Sequence, residues 1–401
     1  MPGPGESQLV LVNLPPPEAA GEVRRAWDQG EAVAVVDPRA PRARLEQLME
    51  ALRPTRVVGT SGSVPVPNGR PVPGDVAAVV STSGTTVEPR QVLLTRAAMQ
   101  ASARSVSAAL GPAAPDDRWL ACVPLHYVAG LAILARSYFC DTAVTVHPAF
   151  EVDAVSASAV GGPGDRCTLV SLVPTMLARL LDAGAPLQRF RRILLGGGPI
   201  PPSLRERAAA AGARIVTTYG LSETGGGCVH DGEPLSGVEL SLSGDGEILV
   251  RGDVVMRGYH RDEEATRRAF TGEGWLRTGD IGRIGTDGRL QVVDRLKDVI
   301  ITGGVKVSPV AVERVLAEHP LVGDVAVVGH KDEEWGERVV AFVVPRPGLE
   351  RPALPDLRGF AAERLTAAEL PRQVRYVATV PRSGSGKVLR RQLRQAGGGP
   401  A

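Results

Sequence analysis

Cysteines, aromatic residues and net charge are all scarce in this sequence, and each scarcity excludes something. Its 401 residues include only four cysteines, Cys122, Cys140, Cys167 and Cys228, far apart and forming no CxxC. That spacing argues against a zinc site or a disulfide framework and fits a reducing cytoplasm. Basic and acidic side chains nearly cancel, 46 against 44, for a net charge of +2. With no broad basic field, electrostatic wrapping of nucleic acid is set aside. Long apolar runs are missing too. The longest, Val128 to Ala135, is stopped by Arg136 well short of the roughly 20 residues that cross a bilayer. No transmembrane helix is expected, and the opening MPGPGESQLVLVNLPPP lacks the basic and apolar regions of a secretory signal.

What is present is a soluble, globular composition of 43% hydrophobic residues, enough for two or three domains. Glycine (47) and proline (33) are dispersed among apolar segments rather than gathered into repeats, and so read as turns. Short β-branched runs at Ala77 to Val80, Ile193 to Leu195 and Arg214 to Thr217 alternate with helical segments such as Arg96 to Leu110 and Met176 to Leu181. This βαβ-like pattern predicts an α/β fold with mostly parallel sheet covered by helices. After about Gly237, strands at Glu247 to Arg251 and Leu290 to Val293 are separated by Gly-Asp and Asp-Gly turns, which predicts a small β-rich subdomain over 237–294. Beyond Asp294 a third texture appears. Helices are expected at Pro309 to Ala317 and Leu357 to Leu365, with strands near Val325 to Val328 and Val339 to Val344. A domain boundary is expected near Asp294-Arg295, dividing an N-terminal domain, 1–294, from a small α+β C-terminal domain, 295–401.

The first strong strand runs into a cluster of hydroxyls, DVAAVVSTSGTTVEPRQVLLT over Asp75 to Thr95. Exposed amides and hydroxyls in such a loop can wrap phosphate oxygens, and Arg90 adds a charge. A strand-to-strand turn rich in small polar residues is the competing reading. The Walker pattern fails, because only Gly386-Lys387 comes near it and Val388 follows where a hydroxyl is needed. No GxGxxG opens a helix after a strand.

The STSGTT run resembles the phosphate-binding signature of the adenylate-forming superfamily, which includes acyl-CoA synthetases, luciferases and peptide-synthetase adenylation domains. Four further signatures follow in that superfamily's order: LLGGGPIPP (Leu194 to Pro202), TTYGLSETGGG (Thr217 to Gly227), GWLRTGDIG with DRLKDVIITGGVKVSP (Gly274 to Pro309), and PRSGSGKVLRR (Pro381 to Arg391). The resemblance implies a large N-terminal domain that binds ATP and acid, and a mobile C-terminal domain. It also implies roles. Ser81, Thr82, Ser83, Gly84, Thr85 and Thr86 would hold the β- and γ-phosphates with Arg90 beside them. Gly196, Gly197, Gly198 and Pro199 would approach the adenine, Tyr219 would stack on it, and Gly220 and Ser222 complete that motif. Glu223 would bind Mg2+ bridging the phosphates. Asp280 would accept hydrogen bonds from the ribose hydroxyls, with Arg295 as its motif neighbour. Lys387 would bridge the carboxylate and the α-phosphate during adenylation. Asp298 would be the hinge between the half-reactions, and the Gly303-Gly304 loop would line the thiol's entry.

Two departures stand out. Where the superfamily has Gly-Lys-Pro-Lys-Gly, this chain has Val87-Glu88-Pro89-Arg90-Gln91, and Ser222 replaces a threonine. The first restricts the loop backbone and changes a phosphate contact while keeping the charge.

Only about 75 residues precede the phosphate loop, so much of an N-terminal subdomain is expected to be missing. That compactness, with PLHYVAGLAILARS, SLVPTMLARLLD and YGLSETGGGCVHDGEPLSGVEL, resembles the short bacterial o-succinylbenzoate-CoA ligases of menaquinone biosynthesis. Their substrate has two carboxylates, of which only the succinyl one is activated. Arg136 is the candidate partner for the other, since it interrupts an apolar segment and would be costly to bury unpaired. His126, Tyr127, Thr224 and Gly225 are further pocket candidates, with Gly226 and Gly227 after them. The reaction implied is acyl-adenylate formation from ATP with release of pyrophosphate, then thioester formation with CoA and release of AMP. Expected partners are the small carboxylic acid, ATP with Mg2+, and CoA, with a homodimer as the candidate assembly. Rival readings are another acyl- or aryl-CoA synthetase, a catalytically silent nucleotide-binding homologue, and a domain that loads a carrier protein.

Overall fold

The structure, a computed structural model, describes residues 3, 5–82, 89–162, 164–382 and 388–396. The chain forms two compact units: Met1–Ser241 with Leu249–Arg277, and Leu242–Ile248 with Thr278–Ala401.

Two seven-stranded sheets organise the first unit. One runs, edge to edge, through Gly258–Tyr259, Gln91–Thr95, Val76–Ser81, Ala32–Val35, Leu9–Asn13, Arg56–Gly59 and Gly62–Pro65. Its four inner strands are parallel, whereas Gln91–Thr95 turns back antiparallel on Val76–Ser81. Unbroken apolar runs such as LVLV and VAAVV suit strands buried on both faces, and these are buried. The residues before the phosphate loop, expected to be a reduced lead-in, supply three of the parallel strands and the helices Pro16–Asp28 and Arg42–Leu52.

The second sheet runs through Ala143–Val146, Arg118–Ala121, Leu169–Leu172, Arg192–Gly196, Ile215–Leu221, Gly226–His230 and Glu233–Pro234. The first five strands are parallel and the last two antiparallel. Parallel neighbours need crossovers, and helices Val128–Phe139, Val152–Val160, Pro174–Asp182 and Pro202–Ala210 provide them. Val128–Phe139 is apolar on nearly every side, as a helix buried all round must be. Helix Arg96–Ala109 starts where the Thr95 side chain accepts from Ala98 N at 3.0 Å. No helix among the described residues is long and apolar enough to cross a membrane.

The β-rich texture after Gly237 forms a four-stranded sheet in the order Val238–Leu242, Glu247–Gly252, Leu276–Ile284, Leu290–Arg295. In the second unit a five-stranded sheet centres on a long hairpin, Val322–Asp332 against Gly336–Pro345. Both strands outrun their apolar cores because the ladder continues to Asp332 and Gly336 at the turn. Helix Pro309–Leu316 begins at Ser308, whose hydroxyl accepts from Ala311 N at 3.1 Å. The next helix spans Leu354–Ala362, three residues ahead of the expected segment. Pro355 in its first turn and the Asp356 carboxylate accepting from Ala353 N start it early.

Candidate active site

In the first unit, Ser81 and Gly196 close their strands and His126, Tyr127 and Glu223 follow theirs, at the carboxyl ends where open α/β sheets bind ligands. The hydroxyl-rich segment is flanked by the strands Val76–Ser81 and Gln91–Thr95, which pair antiparallel. Its base is clamped: Ser81 Oγ donates to Gln91 Oε1 at 2.5 Å, Thr82 N donates to Arg90 O at 2.8 Å, and Arg90 N donates to Thr82 Oγ1 at 3.2 Å. Ser83, Gly84, Thr85 and Thr86, with Val87, lie outside the described residues.

Arg90 does not stand alone beside that loop. Its guanidinium lies 5.1 Å from the centre of the Tyr259 ring, and the Tyr259 hydroxyl donates to Glu223 Oε1 at 2.8 Å. Gly258–Tyr259 is held there by pairing with Val92 and Leu93 of the hairpin. Only glycine fits at 258, where φ is +154° and a Cβ would lie 2.7 Å from Thr266 Cγ2. Burial and the neighbouring Glu223 carboxylate push the Tyr259 phenol up, so it stays a proton donor. Tyr259 is a residue that the sequence reading missed, since a lone tyrosine after glycine carries no signal of its own.

Glu223 sits in a 3-10 turn, Ser222–Thr224, after the strand Ile215–Leu221. Its main-chain oxygen accepts from Met256 N at 2.7 Å, and among the described residues Oε2 takes no hydrogen bond. A carboxylate with one open oxygen is the kind of ligand that suits Mg2+, which prefers a few carboxylates completed by phosphate oxygens. Thr224 is fully buried and its hydroxyl locks the turn, accepting from Leu221 N and donating to Gly226 O. Gly225 ends the turn with φ +64°.

Gly196 closes the strand Arg192–Gly196 directly opposite Thr218, so the Gly196–Pro199 loop adjoins half-buried Tyr219. A Cβ at Gly220 would lie 1.8 Å from Gly226 O, which leaves glycine as the residue for this crossing. His126 and Tyr127 follow the strand Arg118–Ala121, with ring centres 4.3 Å apart. Burial lowers the His126 imidazole, opposed by Asp37, and raises the Tyr127 phenol.

Arg136 lies on helix Val128–Phe139 and is 4% exposed. Its guanidinium stacks 4.3 Å from the Trp119 ring centre and Nη2 donates to Ser171 Oγ at 3.3 Å, but Nε has no partner among the described residues. No carboxylate is ion-paired with it among the described residues. Burial pulls this guanidinium down to about 9.

In the second unit, Asp280 and Arg295 face each other across the hairpin Leu276–Ile284 and Leu290–Arg295. Arg295 Nε lies 3.0 Å from Asp280 Oδ1, and Asp280 is 5% exposed. Asp298 closes the turn Leu296–Asp298, 3.5 Å from Arg394 Nη2. Gly303 and Gly304, both at positive φ, make the two-residue turn between Ile300–Thr302 and Val305–Val307. Lys387 lies outside the described residues. The chain either side of it is anchored: Arg382 bridges to Val388, Arg382 pairs with Asp324, and Arg390 makes two bonds to Glu313 at 2.7 and 2.8 Å.

These features define an adenylate-forming enzyme of α/β fold. Residues 6–260 match the AMP-binding enzyme family and residues 311–387 match the AMP-binding enzyme C-terminal domain. The chain belongs to the AMP-binding enzyme family, as its five ordered motifs led one to expect. A probable 2-succinylbenzoate-CoA ligase of Mycobacterium tuberculosis is 40% identical to it over 334 residues, 81% of this chain and 85% of that protein. The 2-succinylbenzoate-CoA ligase of Bacillus cytotoxicus is 37% identical over 341 residues, 79% of this chain and 69% of that protein. Among solved structures, the o-succinylbenzoate CoA synthetase of Bacillus subtilis in complex with its acyl-adenylate intermediate matches with a TM-score of 0.86 at 29% identity, covering 98% of this chain and 89% of that one. The same enzyme with ATP and magnesium ion matches with a TM-score of 0.84 at 28% identity, over 96% and 89% of the two chains.

Proposed function

We propose that this chain is an ATP-dependent o-succinylbenzoate-CoA ligase acting in menaquinone biosynthesis. In the first step the succinyl carboxylate attacks the α-phosphorus of ATP and pyrophosphate leaves. In the second the CoA thiol, losing its proton, attacks the acyl carbon and AMP leaves. The observation that carries the acid assignment is Arg136, a buried cation that among the described residues has an unpartnered Nε and no acid to neutralise it. Burial pulls this guanidinium well down from its ordinary value, the mark of a charge whose desolvation nothing nearby offsets. A second substrate carboxylate would relieve that cost, which a monocarboxylic acid cannot do. Relatives that are named for this substrate support the reading.

The remaining roles divide by chemistry. The hydroxyl loop at Ser81–Thr86 and Arg90 hold the β- and γ-phosphates, and the Gly196–Pro199 loop and Tyr219 hold the adenine. Glu223 holds Mg2+, which when bound neutralises phosphate charge. Asp280, oriented by Arg295, accepts from the ribose hydroxyls. Lys387 stabilises the charge that develops as the carboxylate meets the α-phosphorus. Asp298 is the pivot between the two steps, and the tight Gly303-Gly304 turn serves the CoA side. The reaction belongs in the cytoplasm, where four free thiols stay reduced, with a homodimer as the assembly to test by light scattering.

The test incubates the protein with ATP, Mg2+, CoA and a panel of acids, following pyrophosphate and the thioester by mass. A thioester from o-succinylbenzoate alone is expected. Turnover confined to another acid would keep the ligase and overturn its substrate, and acid-independent ATP binding without turnover would overturn both.

A further inference from the structure

The orphaned polar atoms near Arg136 do not end with Arg136. His230 closes the strand Gly226–His230, is 7% exposed, and has no hydrogen-bond partner at either Nδ1 or Nε2 among the described residues. Thr218 stands directly opposite it on the neighbouring strand, and the Thr218 hydroxyl is also buried without a partner among the described residues. Directly opposed residues project from the same face of a sheet. Gly227 keeps the space between them open: a Cβ there would come within 2.0 Å of Thr218 Oγ1 and 3.6 Å of His230 Nε2. Helix Val128–Phe139 packs on this strand, since a Cβ at Gly226 would lie 3.4 Å from Ala132 Cβ. Arg136 follows Ala132 by one helical turn and so shares its face. Arg136 and His230 are close enough for the guanidinium charge to disfavour protonation of the imidazole.

Buried polar groups are nearly always satisfied, and four orphaned atoms on three neighbouring side chains are too many to dismiss as packing noise. Each is a donor or can present one. A carboxylate offers about four acceptor sites, enough for all three side chains. We propose that His230 and Thr218, with Arg136, form a seat for the non-reacting carboxylate of the substrate, so that His230 and Thr218 are specificity-determining residues. This rests on the reading that the acid carries a second carboxylate. Arg136 supplies the charge and the other two supply direction. A histidine serves better than a second cation because it stays neutral: burial first, and Arg136 second, hold its imidazole down to about 4. A neutral imidazole donates one N–H without adding another buried charge. The lone histidine in GGCVHDGE gave no sign of this in the sequence, because its partner on Ile215–Leu221 and the gap at Gly227 exist only after the strands pair.

The discriminating measurement uses two acids, o-succinylbenzoate and 4-oxo-4-phenylbutyrate, which lacks the ring carboxylate. Selectivity is the ratio of kcat/KM for the first over the second. For His230→Leu and Thr218→Val this ratio is expected to fall about tenfold to hundredfold, through KM for o-succinylbenzoate, with KM for ATP unmoved. His230→Gln, which keeps a donor, is expected to recover most of the loss. An unchanged ratio, or equal losses on both acids, would overturn the seat and leave His230 and Thr218 as packing residues. If His230→Leu fails to fold, Thr218→Val and His230→Gln decide the matter by the same ratio. Failure of the wild-type protein to turn over o-succinylbenzoate would instead count against the substrate reading itself.

Discussion

The hydroxyl of Tyr259 donates a 2.8 Å hydrogen bond to Glu223 Oε1 while its ring carries the Arg90 guanidinium 5.1 Å from its centre. One side chain therefore touches both the Glu223 carboxylate and the Arg90 guanidinium. Tyr259→Phe keeps the ring under Arg90 and removes only the donor. The expected result is a KM for Mg-ATP raised about tenfold to hundredfold, the worth of one hydrogen bond to a charged group, with the requirement for acid unchanged. Titrating Mg2+ at fixed ATP checks it, and an unmoved Mg2+ dependence would assign Tyr259 to packing.

Much of this was legible before the fold was seen, and the reasons are local. Thr217 to Gly227 and Gly274 to Pro309 hold their candidate residues in contiguous motifs, so Glu223, Asp280 and Asp298 could be picked out from motif order alone. Arg136 was legible because a cation in the run VAGLAILAR breaks an apolar pattern. Tyr259 was not, since 36 residues separate it from Glu223 and only the pairing of Gly258–Tyr259 with Val92 and Leu93 brings them together. The start of helix Leu354–Ala362 was misjudged for a related reason. Its apolar periodicity begins at Leu357, but Pro355 and the Asp356 carboxylate begin the helix earlier.

Arg136 should reveal itself through the acid it holds. Burial pulls its guanidinium down without taking its proton, since a guanidinium stays charged in proteins. Arg136→Ala is expected to raise the KM for o-succinylbenzoate about tenfold to hundredfold with little change in the KM for ATP. An unchanged dependence on the acid, measured by initial rates, would remove Arg136 from the acid's surroundings.

The role proposed for Lys387 would separate the two chemical steps. Charge develops between the carboxylate and the α-phosphorus only in adenylation, so Lys387→Ala is expected to abolish pyrophosphate release. Thioester formation from the pre-made acyl-adenylate should largely survive. Equal loss of both steps, measured by single-turnover mass spectrometry, would mean that Lys387 supports the fold of its segment rather than the first reaction.

The anchors beside Lys387 make a prediction of their own. Arg390 makes two bonds to Glu313, and Glu313 also accepts from Val327 N at 2.7 Å, so one carboxylate ties the segment after Lys387 to a helix and a strand. Burial pushes the Glu313 carboxyl up to about 7, with Arg390 opposing it. A raised carboxyl means that the folded state holds its proton more tightly than the unfolded chain does. Its stabilising contribution is therefore fullest below the ordinary 4.5 and declines as pH rises through about 7. Glu313→Ala strands Arg390 without its partner and should cost about 3–5 kcal/mol. Glu313→Gln keeps an acceptor for Val327 N and one bond to Arg390, stays neutral at every pH, and should flatten the decline. Thermal unfolding of the full chain from pH 5 to 8 reads all three proteins. An Ala variant as stable as wild type, or a Gln variant with the wild-type pH slope, would show that the pair neither anchors this segment nor titrates with it.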